Sequence, residues 1–168
     1  ETAARIAQAR PSDATRPALE RLACRSFAPL LADRSGDDRP YLVYRSADDR
    51  TRHELSHAGF VARVAARART LAEAAGVGRG DRVATLLPSD PEAPITCFAA
   101  WRLGACVVPI NGGEDDDRIA FVLENSEAKA VVVHPDHAAR AEALRARTAG
   151  AAAAKARTWI RLDRVEEA

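Results

Sequence analysis

Between residues 74 and 111 the chain reads A-A-G-V-G-R-G-D-R-V-A-T-L-L-P-S-D-P-E-A-P-I-T-C-F-A-A-W-R-L-G-A-C-V-V-P-I-N, and its glycines, prolines and short polar residues leave little open to it besides strand, helix, strand. Gly76 follows an apolar-periodic run and suits the positive φ of a helix C-terminus, while Gly78 and Gly80 allow the chain to reverse. Val83 to Leu87 form a short apolar run of the kind buried on both faces of a parallel sheet. Pro88 ends it. Ser89 or Asp90 can cap the next helix, Pro91 suits its first turn, and Glu92 sits well against the positive end of its dipole. Gly104 closes that helix, and residues 105–110 form a second buried strand. Strand, helix and strand in this order imply a right-handed parallel crossover.

The flanking sequence extends the same pattern. Residues 1–16 are polar and rich in small side chains and read as a loose arm. Residues 18–32 place Leu19, Leu22, Phe27, Leu30 and Leu31 at helical spacing, and 33–40 form a charged turn with Gly36. Residues 41–44 and 52–55 pair as a hairpin around a turn at 47–50. Ser56 then caps a long helix with Phe60, Val61, Val64, Ala68, Leu71 and Ala72 on one face and Arg63, Arg67 and Arg69 on the other. Beyond Asn111, residues 114–125 form a helix with Ile119, Phe121, Val122 and Leu123 turned inward or nearly so. Residues 128–133 are a third buried strand, 135–148 a helix, 150–156 ambiguous between frayed helix and loop, and 158–162 a fourth strand. The predicted fold is α/β: an open, mostly parallel sheet flanked by helices on both faces, with a small β-hairpin region, in a single domain spanning 1–168.

Composition limits what such a domain does. A chain of 168 residues buries about 70% of its unfolded surface without staples or metals. Its 25 basic and 24 acidic residues are interspersed, for a net charge of +1, which gives neither a nucleic-acid footprint nor a polybasic membrane anchor. Cys24, Cys97 and Cys106 have no paired spacing and read as small core residues in a reducing compartment. No apolar run approaches the roughly 20 residues of a membrane span, and the expected localisation is cytoplasmic. The sequence starts at Glu1 and contains no methionine, so a trimmed or partial chain is expected.

Several constellations invite a sharper chemical reading. Gly76 to Gly80 resembles a phosphate cradle, but such loops follow a strand and open a helix, whereas this one follows a helix and opens a strand. Asn111-Gly112-Gly113 has the strand-to-helix order, yet Glu114, Asp115, Asp116 and Asp117 occupy the positive end of the next helix and would repel a phosphate. That acidic run points in divergent directions and does not converge on one octahedral Mg²⁺. His134 and His137 flank Asp136, and His53 and His57 lie four apart, but neither pair has a third convergent zinc ligand in sequence. Ser56 beside His57 lacks a G-x-S-x-G elbow and serves better as a cap. Trp101 and Trp159 are not interleaved with basic residues as a base-stacking platform requires, in a chain that is 5% aromatic. No catalytic, cofactor-binding or metal-ligating residue is therefore assigned to this segment.

Five landmarks, in order and at compatible spacing, resemble the AMP-forming acyl-CoA synthetases and their adenylate-forming relatives. Leu55-Ser56-His57-Ala58-Gly59-Phe60 looks like the family's L-T-Y-A-E-L, with His57 and Gly59 departing from the usual residues. Gly76 to Val83 is similar to G-V-x-x-G-D-R-V, and Leu87 to Glu92 to L-P-N-S-P-E. Trp101 to Ala105, followed by Val108 to Asn111, resembles A-x-x-x-G-A-x-x-V-P-L-N, and Val122 to Lys129 resembles I-L-x-D-S-G-A-K. The likeness is firm from Tyr41 to Val133 and looser on the flanks.

The resemblance implies an enzyme that activates a carboxylic acid with ATP and Mg²⁺ to an acyl-adenylate and pyrophosphate, then transfers the acyl group to coenzyme A. It also implies a Ser/Thr/Gly-rich phosphate loop ending in P-K-G, an aromatic-threonine-glutamate motif, a ribose-binding aspartate and a lysine on a mobile C-terminal domain. None of these motifs occurs in this sequence. The expectation is the incomplete N-terminal subdomain of a synthetase, unable to adenylate alone, that binds no cofactor itself and contacts the remainder of the enzyme. Whether the chain by itself is an enzyme stays open on these residues. The alternative is a free-standing, non-catalytic module that binds a protein partner on an exposed sheet edge, or self-associates there.

Overall fold

The computed structural model describes residues 35–46, 52–150 and 157–163. The expected N-terminal arm, the helix at 18–32, the turn at 47–50, Cys24 and most of the ambiguous segment 150–156 lie outside the described residues.

Strands β1 (Pro40–Arg45) and β2 (Arg52–Ser56) pair antiparallel as the hairpin, with a register irregularity between Pro40 and Leu42. Helix α1 (His57–Ala75) follows at once, capped by the Ser56 hydroxyl, which accepts the Gly59 N–H at 3.1 Å. Gly76 ends it in the left-handed region at φ 59°. Then come β3 (Arg82–Leu86), α2 (Glu92–Arg102), β4 (Cys106–Pro109), α3 (Asp116–Asn125) and β5 (Ala130–Val133). A 3-10 turn (Pro135–His137) leads into α4 (Ala138–Thr148), and β6 is Thr158–Arg161.

The four later strands form one all-parallel sheet in the order β4-β3-β5-β6. Successive side chains of a strand point to opposite faces, and the two cores follow from that alternation. Val83 of β3 and Ala130 and Val132 of β5 pack with α1 and α2, through Phe60, Val64, Leu71, Ile95 and Ala99. Ala84, Leu86, Val131 and Val133 pack with α3 and α4, through Ile119, Leu123, Ala141 and Leu144. The step from β3 to β4 runs one way along the sheet and carries α2 on the first face. The steps from β4 to β5 and from β5 to β6 run the other way and carry α3 and α4 on the second. Crossovers of one hand require that reversal.

Four expectations are corrected. Arg63 and Arg67, expected on the face of α1 away from its apolar residues, reach across to another helix: both pair with Glu92 of α2, which is only 5% exposed. Phe121 points outward at 55% exposure, because Ile119, Ala120 and Leu123 already fill the inner face of a short helix. Cys106 is exposed and Cys97 half-buried, so neither is a core residue; Cys106 opens β4, which is an edge strand with one neighbour. The helix expected from residue 114 begins at Asp116, because Asp115 takes the cap and its carboxylate accepts the Arg118 N–H at 2.7 Å.

Candidate functional site at the carboxyl end of the sheet

The two ends of the sheet are built differently. At the amino end polar side chains tie neighbouring loops and helix ends together. The Lys129 ammonium donates to the Gly76 carbonyl at 2.6 Å and to the Asp81 carboxylate at 2.9 Å, while the same carboxylate accepts the Gly78 N–H at 2.8 Å. That ammonium and the Gly78 amide hold the Asp81 carboxyl below the usual range. Arg82 donates to the carbonyls of Ser126 and Glu127, so the start of β3 is tied to the turn before β5. Arg157 is buried and donates to the carbonyls of Ala128 and Leu123 and to the Thr148 hydroxyl. Its charge sits against the negative ends of α3 and α4.

At the carboxyl end the chains diverge. The loop after β3 turns toward α1 and α2, and those after β4 and β5 turn toward α3 and α4. In open parallel sheets such a reversal leaves a crevice beyond the strand ends. Here it is an open cleft of about 510 Å³, with Leu87, Pro88, Pro109 and Ile110 on its apolar side and Ser89, Asn111 and His137 on its polar side. Gly112 lines it as well, and a Cβ there would lie 2.8 Å from His137 Nε2, so the ring occupies the space a side chain would need.

The groups around the cleft are largely committed to one another. Asp90 is the cap that sequence left open between Ser89 and Asp90: its Oδ1 accepts the N–H groups of Glu92 at 2.9 Å and Ala93 at 3.3 Å. Burial pushes its carboxyl up, against the opposing pull of those amides and of His134. His134 Nε2 lies 3.4 Å from Asp90 Oδ2, and its Nδ1 accepts the Asp136 N–H at 3.2 Å. With Nδ1 accepting, the proton of the neutral ring sits on Nε2, facing the carboxylate. Neither nitrogen is left to take a proton from Ser89, and the Asp90–His134 pair ties two loops together. Arg140 donates to the carbonyls of Gly112 at 2.5 Å and of Glu114, and to Asp116 at 2.7 Å. It holds the loop between β4 and α3, and its guanidinium is engaged by those oxygens.

The structure brings His134 and His137 together, with ring centroids 6.5 Å apart, but among the described residues no group of three or more His, Cys, Asp and Glu is placed to hold a metal ion. His53 stacks on Tyr44 within the hairpin, and His57, the first residue of α1, lies tilted against Tyr41 of β1. Asp117 pairs with Arg147 and Asp116 with Arg140, which disperses the acidic run along α3. Gly76 to Gly80 lies at the amino end of the sheet, where it receives Lys129. Sequence reasoning missed the Asp90–His134 pair, the His137–Gly112 contact and the Arg140 clamp. Each joins residues distant in sequence, and only the strand order β4-β3-β5 makes them neighbours.

A family model described as AMP-binding enzyme matches residues 31–168. Among curated proteins, the chain is 42% identical over 57 residues to an acetyl-coenzyme A synthetase of Pyrobaculum arsenaticum, covering 34% of this chain and 8% of that protein. It is 37% identical over 73 residues to the long-chain-fatty-acid–CoA ligase FadD13 of Mycobacterium tuberculosis, covering 44% of this chain and 14% of that one. Among solved structures, it superposes on the inhibitor-bound N-terminal domain of FACL13 from Mycobacterium tuberculosis with a TM-score of 0.66 and 26% identity, over 82% of this chain and 33% of that one. The chain therefore spans about a third of that domain and much less of the curated relatives.

Proposed function

The chain belongs to the AMP-binding enzyme family, whose model matches residues 31–168, and from that premise we propose that it is the N-terminal portion of an AMP-forming acyl-CoA synthetase. In the complete enzyme the carboxylate of an organic acid attacks the α-phosphorus of ATP and expels magnesium pyrophosphate. The thiolate of coenzyme A then attacks the acyl carbon of the adenylate and expels AMP. Residues 1–168 supply scaffold to that reaction as an incomplete N-terminal subdomain, and the nucleotide, the metal and coenzyme A are bound by the complete enzyme. No helix among the described residues is long and apolar enough to cross a membrane, and the reading places the enzyme in the cytoplasm.

The observation that carries this reading is how the family landmarks are used. Gly76, Asp81 and Lys129 form one clamp, Asp90 and Glu92 cap and anchor α2, and Gly104 turns the chain at φ 75°. Each of these landmarks is consumed in holding an element, and none of them is left as a cation or general base for a triphosphate. Adenylation demands such groups where charge develops. Pyrophosphate exchange is the direct test: the isolated chain, supplied with ATP, Mg²⁺ and a panel of carboxylates, should incorporate no labelled pyrophosphate into ATP. Turnover above the no-acid control would sink the reading of this segment as scaffold.

A further inference from the structure

The 3-10 turn Pro135–His137 is capped by a histidine: His134 Nδ1 accepts the Asp136 N–H at 3.2 Å. A ring nitrogen does this only while unprotonated, since both nitrogens of an imidazolium are donors. The residues that commonly cap, Ser, Thr, Asn and Asp, keep their acceptor across the range in which histidine changes charge. The charged ring has other partners in reach. Asp90 Oδ2, from the loop after β3, lies 3.4 Å from Nε2, and Asp136 Oδ2 lies 3.4 Å from Nδ1. Behind Asp90 stands Glu92 of α2, held by Arg63 and Arg67 of α1. β6 brings Arg161 level with Val133, followed by the exposed Asp163, and Arg140 of α4 is engaged at Gly112, Glu114 and Asp116. The His137 ring lies 6.5 Å from that of His134 between centroids. Two carboxylates thus address the two nitrogens of His134, and a proton taken at Nδ1 costs the bond to the Asp136 amide.

That bond bears on the cleft. The His134 carbonyl accepts the His137 N–H at 2.9 Å, so the turn sets where His137 lies, and the His137 ring rests on Gly112 in the cleft wall. Short 3-10 turns have poor hydrogen-bond geometry, and a cap acceptor is worth about a factor of five in a local folding equilibrium. We propose that His134 is a proton-operated cap on the wall of the cleft. Neutral, it holds the turn and keeps His137 against Gly112. Protonated from solvent at Nδ1, it releases the Asp136 amide and donates to the carboxylates of Asp90 and Asp136, and His137 leaves Gly112. Charge on both rings adds repulsion across the 6.5 Å between them. The cleft is then wider at Gly112 in acid than at neutral pH.

NMR of the 168-residue chain between about pH 8 and about pH 5 tests this. At the alkaline end, long-range proton–nitrogen spectra should show His134 Nδ1 unprotonated, and an NOE should join the His137 ring to the Gly112 α-protons. On acidification the Asp136 amide should move with the same midpoint as the His134 ring, and the NOE should weaken by about two-fold or more. His134→Asn keeps a side-chain acceptor at the cap and does not titrate in this range, so its NOE should survive to the acidic end. Circular dichroism checks that the variant is folded, and His134→Ser, which also keeps an acceptor, takes its place if it is not. A protonated Nδ1 at the alkaline end, an Asp136 amide whose midpoint differs from that of the ring, or an NOE that holds in acid in the unsubstituted chain would each overturn the proposal. So would an NOE lost equally in the variant, which would assign the movement to the charge on His137 itself.

Discussion

At the residue scale, the decisive polar groups are those whose partners lie in another element. Glu92 is 5% exposed and held by Arg63, whose side chain is 33% exposed, and by Arg67, at 16%. Removing Arg67 leaves a buried carboxylate with one partner that water also reaches, and the Thr96 hydroxyl loses its donor at 3.0 Å. Arg67→Ala should cost about 2–3 kcal/mol in urea unfolding, whereas Arg69→Ala, at an exposed site on the same helix, should stay within about 0.5 kcal/mol. Equal losses would show that Glu92 is not the anchor. Asp81 sets an acid limit: a carboxyl depressed in the fold adds stability that is present above its unfolded value and lost as pH falls through the folded one. Thermal stability should therefore fall on acidification below about pH 4, and Asp81→Asn should flatten that slope while lowering stability at neutral pH. Parallel pH profiles for the two proteins would exclude the clamp as its source. Gly112→Ala puts a methyl 2.8 Å from His137 Nε2, and a surface imidazole can swing aside. The expected result is a loss below about 1 kcal/mol with a clear shift of the His137 imidazole resonances. A larger loss with unmoved resonances would mean that the backbone had given way instead.

At the element scale, each helix starts where a side chain can take the free amides, which moves boundaries by a residue or two from where composition alone puts them. Glu114 to Asp117 all carry carboxylates, but it is Asp115 that has extended backbone and a carboxylate oxygen accepting the Arg118 N–H. Asp115→Ala should destabilise by about 1 kcal/mol and Glu114→Ala by less than about 0.5 kcal/mol, read from chemical denaturation. The reverse order would show that the dipole interaction outweighs the hydrogen bond. Asp90 plays the same part for α2, with the difference that burial raises its carboxyl while the amides of Glu92 and Ala93 require an acceptor there. Periodicity made the inner face of α1 and the buried runs of β3 and β5 legible, but β4, expected as a buried strand over 105–110, is exposed at both ends and half-buried between because it lies at the sheet edge. Periodicity misplaced Phe121 because a helix of 10 residues with Ile119, Ala120 and Leu123 inside has no angular room for it.

At the scale of the whole molecule, one strand order explains both ends of the sheet. β3 and β5 are hydrogen-bonded on both sides, and β4 and β6 on one. Amide hydrogen exchange should be slowest in β3 and β5 and measurably faster in β4 and β6; protection spread evenly over the four strands would contradict an open sheet. By itself the sequence determined the element types, the parallel crossover, the cap at Ser56, the stop at Gly76 and the membership of the fold class, because glycine, proline, capping side chains and hydrophobic period act within a few residues of themselves. Only the tertiary structure decided that Asp90 faces His134, that His137 rests on Gly112, that Glu92 gathers Arg63 and Arg67, and that Lys129 closes the turn at Gly76. Those contacts join positions far apart in the chain, and their geometry exists only once β4 and β5 have settled on opposite sides of β3.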